Sequence, residues 1–451
     1  MSYLLLAIYI MAFGLWIKST KTLNTPGLSR NFICFIFLSK IIVGLLYGLI
    51  HHTYFKGGDT FIYLNESTLL GSTFLSHPSY YIGSLLGWDV PIPDATVFTY
   101  PSSAIFWKNL GTYSLVHLHA ILYPLTFGYY NLHIFFIAII GLFASLNFYN
   151  VFRKILDLPH IALVACCFFL PSLTFWTAGL HKDVYVYFGL SLFLLSLLEF
   201  QQKKQSFQTI LKLCLAILII GMIRHYLLVL LLPATIAYLS TLYYPKRIWT
   251  TYLIIYSLFI GAALVVTKFI LGIELFEILV NQQSAFLAEI GGSSIQNVEP
   301  LSPTLGSILR TIPVAFINVL GRPFLWECKD FLQLIASLEI LSFLGLIVVS
   351  LALKKQSIKS PNLLVHFIVA YAITNLLLVG LLVSNIGTIA RYRAIALGIL
   401  SALLTHILDF YQVYPKKLNP AKPHPLNGDS KTQKKISSAA FSKKNKAKLL
   451  Q

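Results

Sequence analysis

The chain has 451 residues, of which 57% are hydrophobic and only 11% charged, and its mean hydropathy is +0.75. Soluble domains carry about 25% charged residues, so the expected fold is an all-α polytopic bundle of transmembrane helices and not a water-soluble domain. The formal net charge of +18 is spread over short loops and a tail, which argues against nucleic acid as a partner.

Eleven stretches approach the roughly 20 apolar residues that a helix needs to cross a bilayer. They lie near 1–17, 31–51, 129–150, 159–177, 184–199, 207–222, 225–243, 249–272, 333–353, 361–384 and 394–412. No small-residue cleavage site follows the first, which is therefore read as a retained helix. Cys34, Cys166, Cys167 and Cys214 fall inside these stretches, and the twelve histidines form no HExxH pattern. No disulfide framework, metal or other cofactor is expected.

Lys18, Lys21 and Arg30, then Arg153 and Lys154, Lys203 and Lys204, Lys246 and Arg247, and Lys354, Lys355 and Lys359 occupy alternate loops. The positive-inside rule makes those loops cytoplasmic and the N-terminus external, in a cell (inner or plasma) membrane. Residues 1–412 form the membrane domain, and 413–451 a basic, disordered cytoplasmic tail. From Pro415 this tail holds ten lysines and one acid, Asp429, and suits anionic lipid headgroups. Eleven of the sixteen acids (Asp59, Glu66, Asp89, Asp94, Asp183, Glu274, Glu277, Glu289, Glu299, Glu327 and Asp330) then fall on the external side. Chemistry is expected there.

Two external segments, about 52–128 and 273–332, are too long to be simple connectors. The first opens with Tyr54-Phe55-Lys56-Gly57-Gly58-Asp59-Thr60-Phe61-Ile62-Tyr63, where two glycines let the backbone turn sharply beside a ligand. Asp59 is either a candidate base or a solvated loop acid, and Asp89 and Asp94 on the same segment are alternatives. The segment ends in Ser114-Leu-Val-His-Leu-His-Ala-Ile-Leu-Tyr-Pro, whose spacing suits an amphipathic helix in the membrane interface.

Beyond the fourth stretch, Pro171-Ser172-Leu173-Thr174-Phe175-Trp176 leads to His181-Lys182-Asp183, in which Lys182 would face an anionic ligand and Asp183 orient it. Arg224-His225-Tyr226 sits between two apolar runs. An arginine at the hydrocarbon boundary either snorkels or lines a polar cavity. The second segment carries Gly291-Gly292-Ser293-Ser294, an amphipathic run from Leu305 to Pro313, and Arg322-Pro323-Phe324-Leu325-Trp326-Glu327. Finally, Arg391-Tyr392-Arg393 lies between the last two stretches. On an extended segment its two guanidinium forks would point together and suit phosphate oxygens.

An acid at a glycine turn with cations at the neighbouring mouths provides the groups that glycosyl transfer from a lipid phosphate requires. A carboxylate activates the acceptor hydroxyl and cations stabilise the departing phosphate. The plan resembles the C-type (GT-C) membrane glycosyltransferases that use polyprenyl-phosphate sugars. Gly57-Gly58-Asp59-Thr60 with Tyr63, Pro171-Ser172 with Phe175-Trp176, Lys182-Asp183, Arg322 to Glu327 and Arg391-Tyr392-Arg393 resemble a group of bacterial envelope proteins of that plan, over roughly 30–410. The resemblance implies a lipid-linked sugar donor, a glycan, lipid or protein acceptor, and contact with membrane lipids. Asp59 would be catalytic, and Tyr63, Lys182, Asp183, Arg224, His225, Arg322, Glu327, Arg391 and Arg393 would bind substrate. The arrangement also resembles O-antigen and exopolysaccharide polymerases, which hold lipid-pyrophosphate glycans. A non-enzymatic envelope transporter or assembly protein is the third reading.

Overall fold

A computed structural model describes residues 1–21, 23, 25–88, 103–156, 158–204, 206–270, 272–288, 299–353 and 362–408. Asp89, Asp94, Glu289, the Gly291-Gly292-Ser293-Ser294 sequence, Lys354, Lys355, Lys359 and residues 413–451 lie outside them. Among the described residues every regular element is helical. Helices α1 (Ser2–Ser19) and α2 (Arg30–Thr53) precede the first long segment, which folds as α3 (Asp59–Ser76), α4 (Pro78–Leu85), α5 (Ser103–Lys108), α6 (Leu110–Ile121) and α7 (Tyr123–Thr126). Then come α8 (Tyr130–Ile155), α9 (His160–Val164), α10 (Pro171–Trp176), α11 (Lys182–Gln201), α12 (Phe207–Arg224), α13 (Tyr226–Tyr243) and α14 (Ile248–Phe269). The second long segment holds α15 (Leu275–Leu287) and α16 (Leu305–Gly321), followed by α17 (Phe331–Ala352), α18 (Leu363–Leu382) and α19 (Ile386–Ile407).

Among the described residues, ten helices (α1, α2, α8, α11, α12, α13, α14, α17, α18 and α19) are long and apolar enough to cross a membrane. The chain is an all-α, multi-pass membrane bundle. The remaining apolar stretch, 159–177, is interrupted: a wide turn at Ala165–Phe169 follows α9, and Pro171 restarts the chain as α10. A proline lacks the amide that would bond back into the preceding turn, and Leu170 before it takes an extended backbone, so the helix stops there. The interrupted stretch nevertheless runs the length of α2. His160 lies at Gly27, Phe169 against Phe32 and Phe35, and Phe175 and Trp176 against Tyr47.

Polar side chains set several helix starts by accepting amide hydrogens that have no partner within the first turn. Ser29, Ser206, Thr304, Asp330, Asn362 and Asn385 all do this. The Asn385 cap starts α19 at Ile386, eight residues earlier than the apolar run at 394 implied. Arg391 and Arg393 are therefore helical and not extended. At about 100° per residue they point to different sides.

Helices α8, α11 and α19 are the most buried of the crossing helices, with α1 and α14 outside. Antiparallel packing of α2 on α8 places Tyr130 at Gly48 and Tyr149 at Pro26 and Gly27. The ends of α2 and α12, the starts of α3, α8, α11, α13 and α19, and the turn between α16 and α17 thereby share one end of the bundle. Lys18, Lys21, Arg30, Arg153, Lys154, Lys203, Lys204, Lys246 and Arg247 sit at the other.

Helix α6, within the stretch expected at the interface, packs against α3 and α12 and buries His117 and His119. A buried polar chain locks it in place. Thr126 donates to the Leu122 carbonyl, so it accepts from His133 Nε2 (3.0 Å). His133 Nδ1 must then accept from His119 Nδ1 (3.0 Å), and His119 Nε2 from the Tyr185 hydroxyl (3.0 Å). Neutral imidazoles satisfy every link in this direction, and burial holds the His119 pKa well below its usual value.

Candidate functional site

Gly57 and Gly58 adopt φ of +133° and +106°, conformations open to glycine at little steric cost. Gly58 caps α3 and sets Asp59 in its first turn. The Asp59 side chain is 54% exposed, and it faces residues from three other helices.

His181, just before α11 and only 2% exposed, is the hub. Its Nδ1 lies 2.8 Å from Asp183 Oδ2, and its Nε2 lies 3.4 Å from Asp59 Oδ2 and 3.1 Å from Arg391 Nη1. Asp183 is buried and also binds Arg224, Oδ1 to Nη2 at 2.7 Å. Arg224 stacks 4.1 Å from the Tyr392 ring centre and donates to the Tyr226 hydroxyl at 3.1 Å. Behind this pair a cavity of about 20 Å³, lined by Asp183, Arg224, Tyr226, Tyr371, Asn375 and Tyr392 among others, has room for about one water.

Arg391 is 17% exposed, lies 3.9 Å from Asp59, and packs beside the Tyr392 and Trp176 rings. Its Nε is 3.8 Å from Asp183 Oδ2 and makes no hydrogen bond. On the opposite side of Asp59, Lys182 donates to Thr112 Oγ1 at 2.9 Å and lies 5.7 Å from the Tyr63 ring centre. With neutral His181, the two carboxylates face Lys182, Arg224 and Arg391. One positive charge is left over, which favours an anionic ligand.

His181 Nε2 cannot serve both of its neighbours as one species. It accepts from Arg391 when unprotonated and donates to Asp59 only when it carries a proton. In the donating state its hydrogen bond holds the Asp59 carboxyl at about 2, opposed by partial burial and assisted by the nearby Arg391 and Lys182 charges. Asp59 is consequently ionised at neutral pH and a weak base in isolation. Burial raises the Tyr63 hydroxyl, with the Asp59 charge adding to the rise, so Tyr63 remains a neutral donor.

The sequence-derived residues therefore divide. Asp59, Tyr63, Lys182, Asp183, Arg224 and Arg391 meet at one mouth. Asp183 does not orient Lys182; it is the buried counter-ion of Arg224 and lies against the His181 ring. Arg224 is neither snorkelling nor open to a ligand, because that carboxylate and the Tyr392 ring occupy it. His225 is exposed at the α12–α13 joint and stands outside the cluster. Arg393 turns away, 1% exposed, and donates to the carbonyls of Val319 (2.8 Å) and Arg322. Arg322 pairs with Glu327 at 3.2 Å.

His181, Thr112, Trp176 and Tyr392 were not singled out as site residues by sequence. The triplet His181-Lys182-Asp183 was the available signal for the first; Trp176 and Tyr392 stood within the motifs that carry the resemblance without a role of their own, and Thr112 had no signal. Alongside Arg322, an apolar groove of about 340 Å³ is lined by Phe316, Ile317, Leu320, Gly321, Phe324 and Leu344. Comparison of the chain with protein-family models, curated proteins and solved structures returns no match.

Proposed function

We propose that the chain is a GT-C-like membrane glycosyltransferase, moving a sugar from a polyprenyl-phosphate donor to an acceptor hydroxyl at the Asp59 mouth. The observation that carries this reading is an exposed carboxylate set at a glycine turn 3.9 Å from a partly exposed guanidinium, Arg391. Asp59 takes the acceptor proton, and Arg391, assisted by Lys182, binds the phosphate that leaves. The leftover positive charge favours that anion. The basic links at the far end support a cytoplasmic placement for that end. The Asp59 mouth and the N-terminus would then be external and the tail cytoplasmic, in the cell membrane.

The test is sugar transfer in purified membranes from labelled polyprenyl-phosphate sugars, comparing the native chain with Asp59→Asn at equal expression. A fall of about 100-fold or more is expected, the scale of a lost general base. Equal transfer by the variant would remove Asp59 from the chemistry. No transfer by the native chain would favour lipid-pyrophosphate glycans, the substrates of a polymerase.

A further inference from the structure

Arg224, Arg322 and Arg393 are each committed to a partner, to Asp183, to Glu327 and to two carbonyls respectively. Arg391 is held differently. Its contacts to Asp59 Oδ2 and Asp183 Oδ2, at 3.9 and 3.8 Å, are longer than a hydrogen bond. What surrounds the guanidinium at closer range is His181 Nε2, 3.1 Å from Nη1, and the Tyr392 hydroxyl, 3.4 Å from Nη2. Its Cζ lies 5.0 Å from the Tyr392 ring centre and 5.9 Å from that of Trp176. The negative face of an aromatic ring attracts a cation and consumes none of its N–H donors.

Tyr392 is itself held from behind. The Arg224 guanidinium lies 4.1 Å from its ring centre, and Arg224 is fixed in turn by Asp183 at 2.7 Å. Both members of that pair are buried. A buried ion pair adds little net stability but can fix one arrangement of its surroundings, and here it backs the ring that Arg391 rests on.

We infer that Tyr392 is a positioning residue for anion binding: its ring, backed by the Arg224–Asp183 pair, holds the Arg391 guanidinium at the Asp59 mouth without tying it to a carboxylate. The inference rests on the transferase reading, in which the phosphate binds at Arg391. An arginine already held in place loses less side-chain freedom when a ligand arrives, and that saving appears as affinity. A carboxylate in the place of the ring would hold the arginine too, but it would occupy the fork that phosphate oxygens need.

The test is a double-mutant cycle on binding of farnesyl methyl phosphate, a singly charged phosphodiester, to the full chain in detergent, followed by calorimetry. Tyr392→Leu is expected to weaken binding about five- to tenfold, and Tyr392→Phe, which keeps the ring, to stay within about twofold of the native chain. In an Arg391→Gln background, Tyr392→Leu should change affinity by less than about twofold, because no guanidinium remains to be held. Native affinity in Tyr392→Leu overturns the inference. So does equal weakening with and without Arg391, which is the mark of a purely structural loss, and so does a Tyr392→Phe chain as weak as Tyr392→Leu. Should Tyr392→Leu not fold, a ring-fluorinated phenylalanine at position 392 keeps the shape and withdraws the negative face. Weaker binding than Tyr392→Phe is then expected, and equal binding overturns the inference. A native chain that binds through Arg391 but is indifferent to Tyr392 loses this inference alone. One that does not bind the probe, or binds it equally with Arg391→Gln, also loses the phosphate placement of the transferase reading.

Discussion

Arg391 and Arg393 are two residues apart on one helix and have opposite circumstances. The Nε of each lacks a hydrogen bond, but Arg391 is 17% exposed and faces Asp59 and His181, while Arg393 is 1% exposed and committed to the carbonyls of Val319 and Arg322. The same division separates their surroundings. Around Arg391 the charges do not cancel and one carboxylate is open to solvent. Around Arg393 the arginine fastens the end of α16 to α19, and the neighbouring Arg322 is matched by Glu327. A cation becomes a candidate ligand group through what its neighbours leave unsatisfied, and residue type alone does not show this.

The comparison can be broken most severely at Asp183. If it is the counter-ion that keeps Arg224 buried, Asp183→Ala should cost about 3–5 kcal/mol of stability, because a buried charge is left without a partner. Denaturation in detergent measures this. A variant as stable as the native chain would show that the cluster is not held by this carboxylate. Next in size, Arg393→Met should cost roughly 2 kcal/mol through the loss of charge-assisted hydrogen bonds to carbonyls. Phosphodiester binding should be unchanged in the folded fraction. Weakened binding at full stability would move Arg393 into the site.

Legibility in the sequence followed physical cause. Long apolar runs made ten crossing helices readable, since nothing but a helix satisfies their backbone in lipid. The break at Leu170-Pro171 was hidden inside a run of suitable length. Asp59, Lys182, Asp183, Arg224 and Arg391 stood out because charge is rare in such a chain. Their pairing was not readable: Asp183 meets Arg224 across 41 positions and His181 meets Arg391 across 210. Whether Arg391 and Arg393 point together depended on a single cap, Asn385, which extends the helix back over both. His181 was inconspicuous among twelve histidines, and His119 and His133 gave no sign that they bond to each other.

The most direct measurement is binding of a polyprenyl-phosphate sugar to the full chain in detergent, comparing Arg391→Gln with Arg322→Gln. If the phosphate sits at the Asp59 mouth, Arg391→Gln should weaken binding by about tenfold or more, the equivalent of roughly 1.4 kcal/mol. Arg322→Gln, which removes a cation already matched by Glu327, should leave affinity within about twofold. The reverse order, with Arg322 essential and Arg391 dispensable, would place the phosphate beside the α16 groove and contradict the assignment of the site.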